Sequence, residues 1–262
     1  MESTPTNPVI EFRNVSYSVG TIQVRTIQVL RDFNLQIQSG EVLVLLGRSG
    51  SGKTTSLKLV NRLLSPTAGE VLVKGVPNAE ADVIRLRRGI GYAIQDVGLF
   101  PHFNVAKNIG VVPRIEGWPD EKIRRRVDEL LQLTGLAPEI ASRYPHQLSG
   151  GQRQRVGVAR ALAADPEILL MDEPFGALDP LTRDELQREF LSLQRRLRKT
   201  VVFVTHDLRE AMLLGSRIAL MEAGKLVTVL APADFLRSSD PWASAYVKAF
   251  GGLELVATEG AK

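Results

Sequence analysis

Eight consecutive residues, Gly47-Arg48-Ser49-Gly50-Ser51-Gly52-Lys53-Thr54, combine small positions with a cation and a terminal hydroxyl. The spacing fits GxxxxGK[ST], a loop whose backbone amides turn inward around phosphate oxygens. Glycines permit the turned backbone, and a following helix presents the positive end of its dipole to the same anion. On that reading Lys53 reaches the β- and γ-phosphates of a nucleotide and the Thr54 hydroxyl binds Mg2+. Further along, Ile168-Leu169-Leu170-Met171-Asp172-Glu173 places two carboxylates directly after a short apolar run. Ligands of open parallel sheets bind at the carboxyl ends of strands. Asp172 is therefore placed to hold Mg2+ through water, and Glu173 to polarise an attacking water. A third group, Leu148-Ser149-Gly150-Gly151-Gln152, precedes a helix-like stretch with Val156, Ala159, Leu162 and Ala163 on one side. Such a helix start can grip an anion, and the same residues can equally form an ordinary N-cap with a glycine turn.

These groups need a scaffold. The runs Val42–Leu46, Ile168–Met171 and Val201–Val204 have the length of strands buried on both faces. They alternate with helical patterns at Thr54–Leu64 and Arg183–Arg198, which argues for a parallel, helix-covered sheet. The first forty residues look antiparallel instead: Val15, Tyr17 and Val19 alternate with small polar residues, as do Ile22 and Val24, then Leu35 and Ile37. Val71–Val73 reads as another strand, and Arg217–Met221 with Lys225–Val229 as a hairpin around Ala223-Gly224. Between Gln95 and Ala164 the chain is mainly helical. Its clearest helix, Pro119–Thr134, aligns Ile123, Val127, Leu130 and Leu131 on one face, with Lys122 and Arg124–Arg126 expected on the solvated side.

Composition narrows the class. With no cysteines and three histidines, disulfides and cysteine-based zinc sites are excluded. The 33 basic against 29 acidic residues leave a charge of +4, which suits an acidic ligand, an anionic membrane surface or nucleic acid without choosing among them. No apolar run approaches the roughly 18 residues of a spanning helix. The opening residues carry no export pattern, so a cytosolic protein that meets a membrane only through a partner is expected.

With these motifs in hand, the chain resembles the ATP-binding-cassette transporter family over roughly Val9 to Ala231. GRSGSGKT is similar to its Walker A motif, ILLMDE to its Walker B and LSGGQ to its signature. Gln95 matches the Q-loop, Gly176-Ala177-Leu178-Asp179 the D-loop, and His206 in Val204-Thr205-His206-Asp207 the switch histidine. The resemblance implies an α/β fold: an ABC-type nucleotide-binding domain with a RecA-like parallel-sheet core, an N-terminal antiparallel β part and an inserted α-helical subdomain. The corresponding boundaries are 1–240 for the ATPase domain, with core 1–95 and 165–240 and helical subdomain 96–164. A short C-terminal helix and tail fill 241–262.

The resemblance also implies site roles. ATP and Mg2+ are the expected ligands. Nucleotide contacts fall to Gly47, Arg48, Ser49, Gly50, Ser51, Gly52, Lys53, Thr54, Thr55 and Asp172. Ser149, Gly150, Gly151, Gln152 and Asp179 complete the pocket across a head-to-tail homodimer. Thr54, Gln95 and Asp172 attend the metal, while Glu173, His206 and Gln95 serve hydrolysis. The family stacks adenine on an aromatic residue at the position that here is Val19, and Tyr17 is the nearest aromatic.

The stretch Gln95–His102 with Gly117-Trp118, together with Tyr144–Gln147 and Leu57–Leu64, is similar to ATPases of importers for glycine betaine, choline and carnitine. That implies permease subunits as partners at the inner membrane's cytoplasmic face, with a substrate-binding protein as an indirect one. Phe100, Pro101 and Phe103 either suit a permease-accepting groove or pack locally. Phe235, Trp242, Tyr246 and Phe250 are expected to pack a terminal helix on the core, and 251–262 to fray. The rivals are a nucleic-acid-acting ATPase of the same family and a free-standing nucleotide switch. Coiled coils, zinc modules and tandem cassettes are missing from the sequence, so no nucleic acid is expected, and LSGGQ with His206 argues against the switch.

Overall fold

The computed structural model describes residues 8–20, 26–94, 97–176 and 178–250. Gln95, Ala177, the strand expected at Ile22 and Val24, and the tail 251–262 lie outside the described residues. In chain order the elements are β1 (Ile10–Val19), β2 (Ile27–Ile37), β3 (Val42–Gly47), α1 (Lys53–Val60), β4 (Ala68–Val73), β5 (Val76–Pro77), α2 (Val83–Arg88) and β6 (Ile90–Ala93). Next come α3 (Val105–Ile109), α4 (Val111–Ile115), α5 (Asp120–Leu133), α6 (Gly150–Leu162), β7 (Ile168–Asp172) and α7 (Pro180–Leu197). The chain closes with β8 (Thr200–Thr205), α8 (Leu208–Leu214), β9 (Arg217–Glu222), β10 (Lys225–Leu230), α9 (Pro232–Leu236) and α10 (Pro241–Ala249). They fall into two compact units, Met1–Val83 with Val202–Lys262, and Ile84–Val201.

In the first unit an antiparallel sheet runs β2-β1-β4-β5. Its inward face carries Ile10, Phe12, Val15, Phe33 and Leu35, with the Phe12 and Phe33 rings edge-on at 5.1 Å. The pairing slips between Phe12 and Val15, where Asn14 adopts φ 49 and its N–H donates to the Asn34 side-chain oxygen at 2.8 Å, and the alternation expected at Val15, Tyr17 and Val19 is interrupted by further shifts on either side of Tyr17. A second sheet of this unit places β10, β9, β3 and β8 side by side. There β3 runs parallel to β9, and every residue of β3 and of β8 is buried. Two covered faces explain why these strands are continuous apolar runs.

The second unit pairs β6 parallel to β7 from Ile90↔Ile168 to Ala93↔Met171. Helix α6 lies close on this pair at Gly91, where a Cβ would sit 2.2 Å from the Ala161 carbonyl oxygen. Only glycine allows that approach. The buried face of α5 is the one expected from the sequence, Ile123, Val127, Leu130 and Leu131.

Three expectations change. Helix α1 stops at Val60, not Leu64, because Arg62 turns left-handed at φ 54 and the N–H groups of Leu63 and Leu64 fold back onto the Lys58 carbonyl. The buried Asn78 amide then donates to the Leu59 and Val60 carbonyls at 2.6 and 3.2 Å, satisfying acceptors that a helix end leaves open. Arg126 leaves the solvated side of α5: it is 13% exposed and donates to the Leu162 and Ala163 carbonyls at the end of α6. Trp242 does not join the core. Phe235 and Tyr246 do, at 0% and 9% exposure, whereas Trp242 stays 43% exposed.

Candidate functional site

The glycine-rich loop leaves β3 at Gly47 and enters α1 at Lys53. Gly52, the residue before the helix, sits at φ 100, and a Cβ there would meet a Leu30 methyl at 2.6 Å. Lys53 is 4% exposed, and its ammonium donates to the Gly47 and Arg48 carbonyls at 2.7 and 2.9 Å. That holds a buried cation over the loop. The Ser51 hydroxyl is buried and has no hydrogen-bond partner, a cost of roughly 1–3 kcal/mol that a phosphate oxygen would remove. The first turn of α1 contains no acidic residue, and Thr54 and Thr55 stand half-buried on it. An oxyanion fits this cradle on charge, donors and space.

Also in the first unit, Arg48, Ser49 and His206 share one cleft of about 320 Å3 with Trp242, Tyr246 and Phe250. His206 is exposed just beyond β8, and its flanks are pinned. The Thr205 hydroxyl donates to Glu210 at 2.5 Å and accepts from the Asp207 N–H at 3.0 Å. Glu210 is 5% exposed, so this short network fixes the backbone on both sides of the imidazole. Tyr17 is half-buried opposite Leu30, the residue that touches Gly52, while Val19 ends β1 at 52% exposure.

In the second unit Asp172 closes β7 at 5% exposure. Tyr92, on the neighbouring strand, brings its hydroxyl to 3.5 Å from the Asp172 carboxylate. Burial, reinforced by that carboxylate, pushes the Tyr92 phenol well above its ordinary range. It stays a neutral hydroxyl aimed at the acid. Glu173 adopts φ 43, a left-handed backbone that costs a residue with a side chain roughly 1–3 kcal/mol. The turn that enforces it closes with the Gly176 N–H on the Glu173 carbonyl at 3.1 Å.

Ser149 caps α6 reciprocally: its hydroxyl accepts from the Gln152 N–H at 3.2 Å, and the Gln152 side chain accepts from the Ser149 N–H at 3.0 Å. The two readings of this segment are compatible, since the cap is formed and Ser149 and Gly150 remain exposed at the helix's positive end. Asp179 caps α7, accepting from the Thr182 N–H at 3.1 Å, and bonds from Thr182 hold its pKa below the usual carboxylate value.

The sequence profile described as "ABC transporter" matches residues 30–176, more than half of the 262 residues. The chain belongs to the ABC transporter family. Among curated relatives of this ABC transporter chain, the choline transport ATP-binding protein OpuBA of Bacillus subtilis is 50% identical over 227 residues, 87% of this chain and 59% of that one. The glycine betaine uptake system ATP-binding protein YehX of Escherichia coli is 51% identical over 219 residues, covering 84% and 70%. The chain thus spans about three fifths of the length of relatives such as OpuBA. Among solved structures, the dimeric ATP-binding cassette MJ0796 bound to ADP and Pi is 33% identical with a TM-score of 0.78, covering 85% of this chain and 98% of that one.

Sequence reasoning about this ABC transporter chain missed several supporting residues. Arg183 donates to the carbonyls of Phe175, Gly176 and Leu178, pinning the turn between Glu173 and Asp179. Arg160 donates to the Val97 and Gly98 carbonyls, fixing the backbone just after Gln95 to the helix that Ser149 caps. Glu210 and Tyr92 complete the set. Tyr92 and Arg160 act on partners far along the chain, and Arg183 and Glu210 on groups five to eight residues back, a spacing that belongs to no motif read from the sequence.

Proposed function

We propose that this chain is the ATP-binding and ATP-hydrolysing subunit of an importer for quaternary-amine osmoprotectants such as glycine betaine, choline or carnitine. The observation that carries the enzymatic part is the cradle at 47–54, with a buried ammonium and a buried, partnerless hydroxyl. The cargo class rests on the relatives, whose names place choline and glycine betaine with their transporters.

In this reading Gly47–Thr54 and Thr55 hold the phosphates, with Lys53 on the β- and γ-groups, and Tyr17 is the nearest aromatic to the base. Mg2+, attended by Thr54, Asp172 and Gln95, would neutralise charge on those phosphates. Glu173 polarises the attacking water, and His206 contacts the γ-phosphate and orients Glu173. A second copy supplies Ser149, Gly150, Gly151 and Gln152 to the γ-phosphate, and Asp179 links the two sites; the dimeric neighbour bound to ADP and Pi supports that arrangement.

The boundaries 1–95 and 165–240 for the core and 96–164 for the helical part belong to this reading. Within the second unit, a cleft of about 420 Å3 lined by Tyr92, Phe100, Val111, Ile115 and Arg160 exposes Phe100 and Ile115 at 42% and 60%. It suits an apolar permease segment. Phe103 supports Phe100 from behind, with ring centroids 5.4 Å apart. No helix among the described residues is long and apolar enough to cross a membrane, so membrane contact at the cytoplasmic face runs through permease subunits, and through them to a substrate-binding protein.

Glu173→Gln tests the chemistry. Phosphate release is expected to fall by roughly 10²–10⁴-fold while ATP still binds and drives dimer formation in sedimentation. Unchanged turnover would remove Glu173 from its role. Uptake of labelled choline and glycine betaine by cells lacking other importers, carrying this chain with its permease, tests the cargo.

A further inference from the structure

The helices that start at Ser149 and Asp179 are held to each other at two levels. At their first turns Gly151 of α6 abuts Thr182 of α7, where a Cβ on the glycine would lie 2.7 Å from the threonine methyl. Further along, six positions after Ser149 and ten after Asp179, Arg155 meets Glu189 at 3.0 Å. The same guanidinium donates to the Gly135 and Thr134 carbonyls at 3.0 and 3.4 Å. One side chain therefore ties α6 both to α7 and to the C-terminal end of α5. Gly135 makes that junction possible. It turns at φ 63, and a Cβ there would sit 2.8 Å from the guanidinium and 3.2 Å from the Glu189 carboxylate.

Stability alone does not account for the pair. The second oxygen of Glu189 is buried without a hydrogen-bond partner, and burial raises the pKa of this carboxyl against the pull of Arg155. Replacing a desolvated ion pair by apolar residues of like volume is often neutral or stabilising. What the pair adds is direction. Beside it the apolar faces of the helices do not close: Leu133, Val158, Phe175, Leu186, Phe190 and Leu193 line a cavity of about 20 Å3, the room of roughly one water. Apolar contact across a void lets helices shift, whereas a guanidinium fixed on two carbonyls and a carboxylate accepts one geometry. We propose that Arg155 and Glu189 are positioning residues for ATP hydrolysis, holding α6 and α7 so that Ser149 and Asp179 reach the facing copy as one rigid surface. Neither belongs to the nucleotide cradle, and the helical rise puts them roughly 9 and 15 Å from the two caps. The inference rests on the dimer of the proposed function and adds the part that aligns its two helix starts.

The test uses the full chain. Arg155→Met and Glu189→Leu should each lower phosphate release at saturating ATP about tenfold, with KM and the fluorescent-nucleotide affinity of dilute protein changed less than about twofold. Because both act through one contact, the double variant should be no slower than either single. Glu189→Gln keeps an acceptor for the guanidinium and should retain most of the turnover. The chain has no cysteine, so spin labels on Arg153→Cys and Glu185→Cys, both at exposed positions, read the spacing of α6 and α7 directly. Glu189→Leu should broaden that distance distribution. Turnover of Glu189→Leu within about twofold of the parent chain, losses that add in the double variant, an equal loss of nucleotide affinity, or an unchanged label distance each overturn the inference. Should Arg155→Met fail to fold, Glu189→Leu, at a half-buried position and checked by circular dichroism, decides alone. A parent chain that neither pairs nor hydrolyses ATP defeats the proposed function and the inference with it; a hydrolysing chain indifferent to both positions defeats the inference alone.

Discussion

The two glycine-bearing segments that the proposed function assigns to phosphate are built differently. The loop at 47–54 is closed and buried: Lys53 and Ser51 are 4% and 3% exposed, and the backbone is bent through left-handed glycines at Gly50 and Gly52. The segment at 149–152 is open, a capped helix start whose hydroxyl is already engaged by its own Gln152 and which offers only amides and a dipole. A cation inside a shaped cradle can hold a triphosphate alone. A dipole end exposed to water adds a modest increment, useful only when another surface has already delivered the anion. Under the proposed function the contrast divides the work: the closed loop holds nucleotide in one copy, and the open helix start completes the pocket from another.

Breaking the closed site should have the largest effect. Lys53→Ala is expected to weaken ATP binding to dilute protein about a hundredfold, roughly 3 kcal/mol for a charge-assisted contact, as read by fluorescent-nucleotide titration. Equal affinity would place the binding charge elsewhere. Next, Ser149→Phe should cut steady-state hydrolysis at least about tenfold while that titration barely moves; a parallel loss of affinity in the monomer would contradict the division between the two sites. Arg126→Ala, at the far end of the helix that Ser149 caps, should lower the urea-unfolding free energy by about 2 kcal/mol with nucleotide affinity unchanged. Smallest, Ser149→Ala should cost about 1 kcal/mol of stability through the lost cap. A change within 0.3 kcal/mol, taken as roughly the scatter between independent measurements, would show that the cap is idle.

Legibility in the sequence followed the range of the physics. The loop at 47–54 could be read because its chemistry is written in contiguous residues, and α5 because its apolar positions repeat locally. The double burial of β3 and β8 was equally plain in their unbroken apolar runs. What escaped was set by distant partners. The end of α1 at Val60 was missed because it rests on a left-handed turn at a non-glycine residue, Arg62, and on donors to its last carbonyls that come from Asn78. Arg126 looks like its exposed neighbours until the α6 carbonyls come within reach. The strained backbone of Glu173 and the hydroxyl of Tyr92 against Asp172 likewise depend on tertiary packing.

The remote stop on α1 bears on how the protein is made. A nascent chain that has emerged only as far as Val60 holds every residue of the glycine-rich loop, yet the helix behind it lacks the Asn78 amide that donates to its last two carbonyls. Synthesis must run past β4 and β5 before those carbonyls meet their donor, so the end of α1 is completed only by residues that leave the ribosome after it.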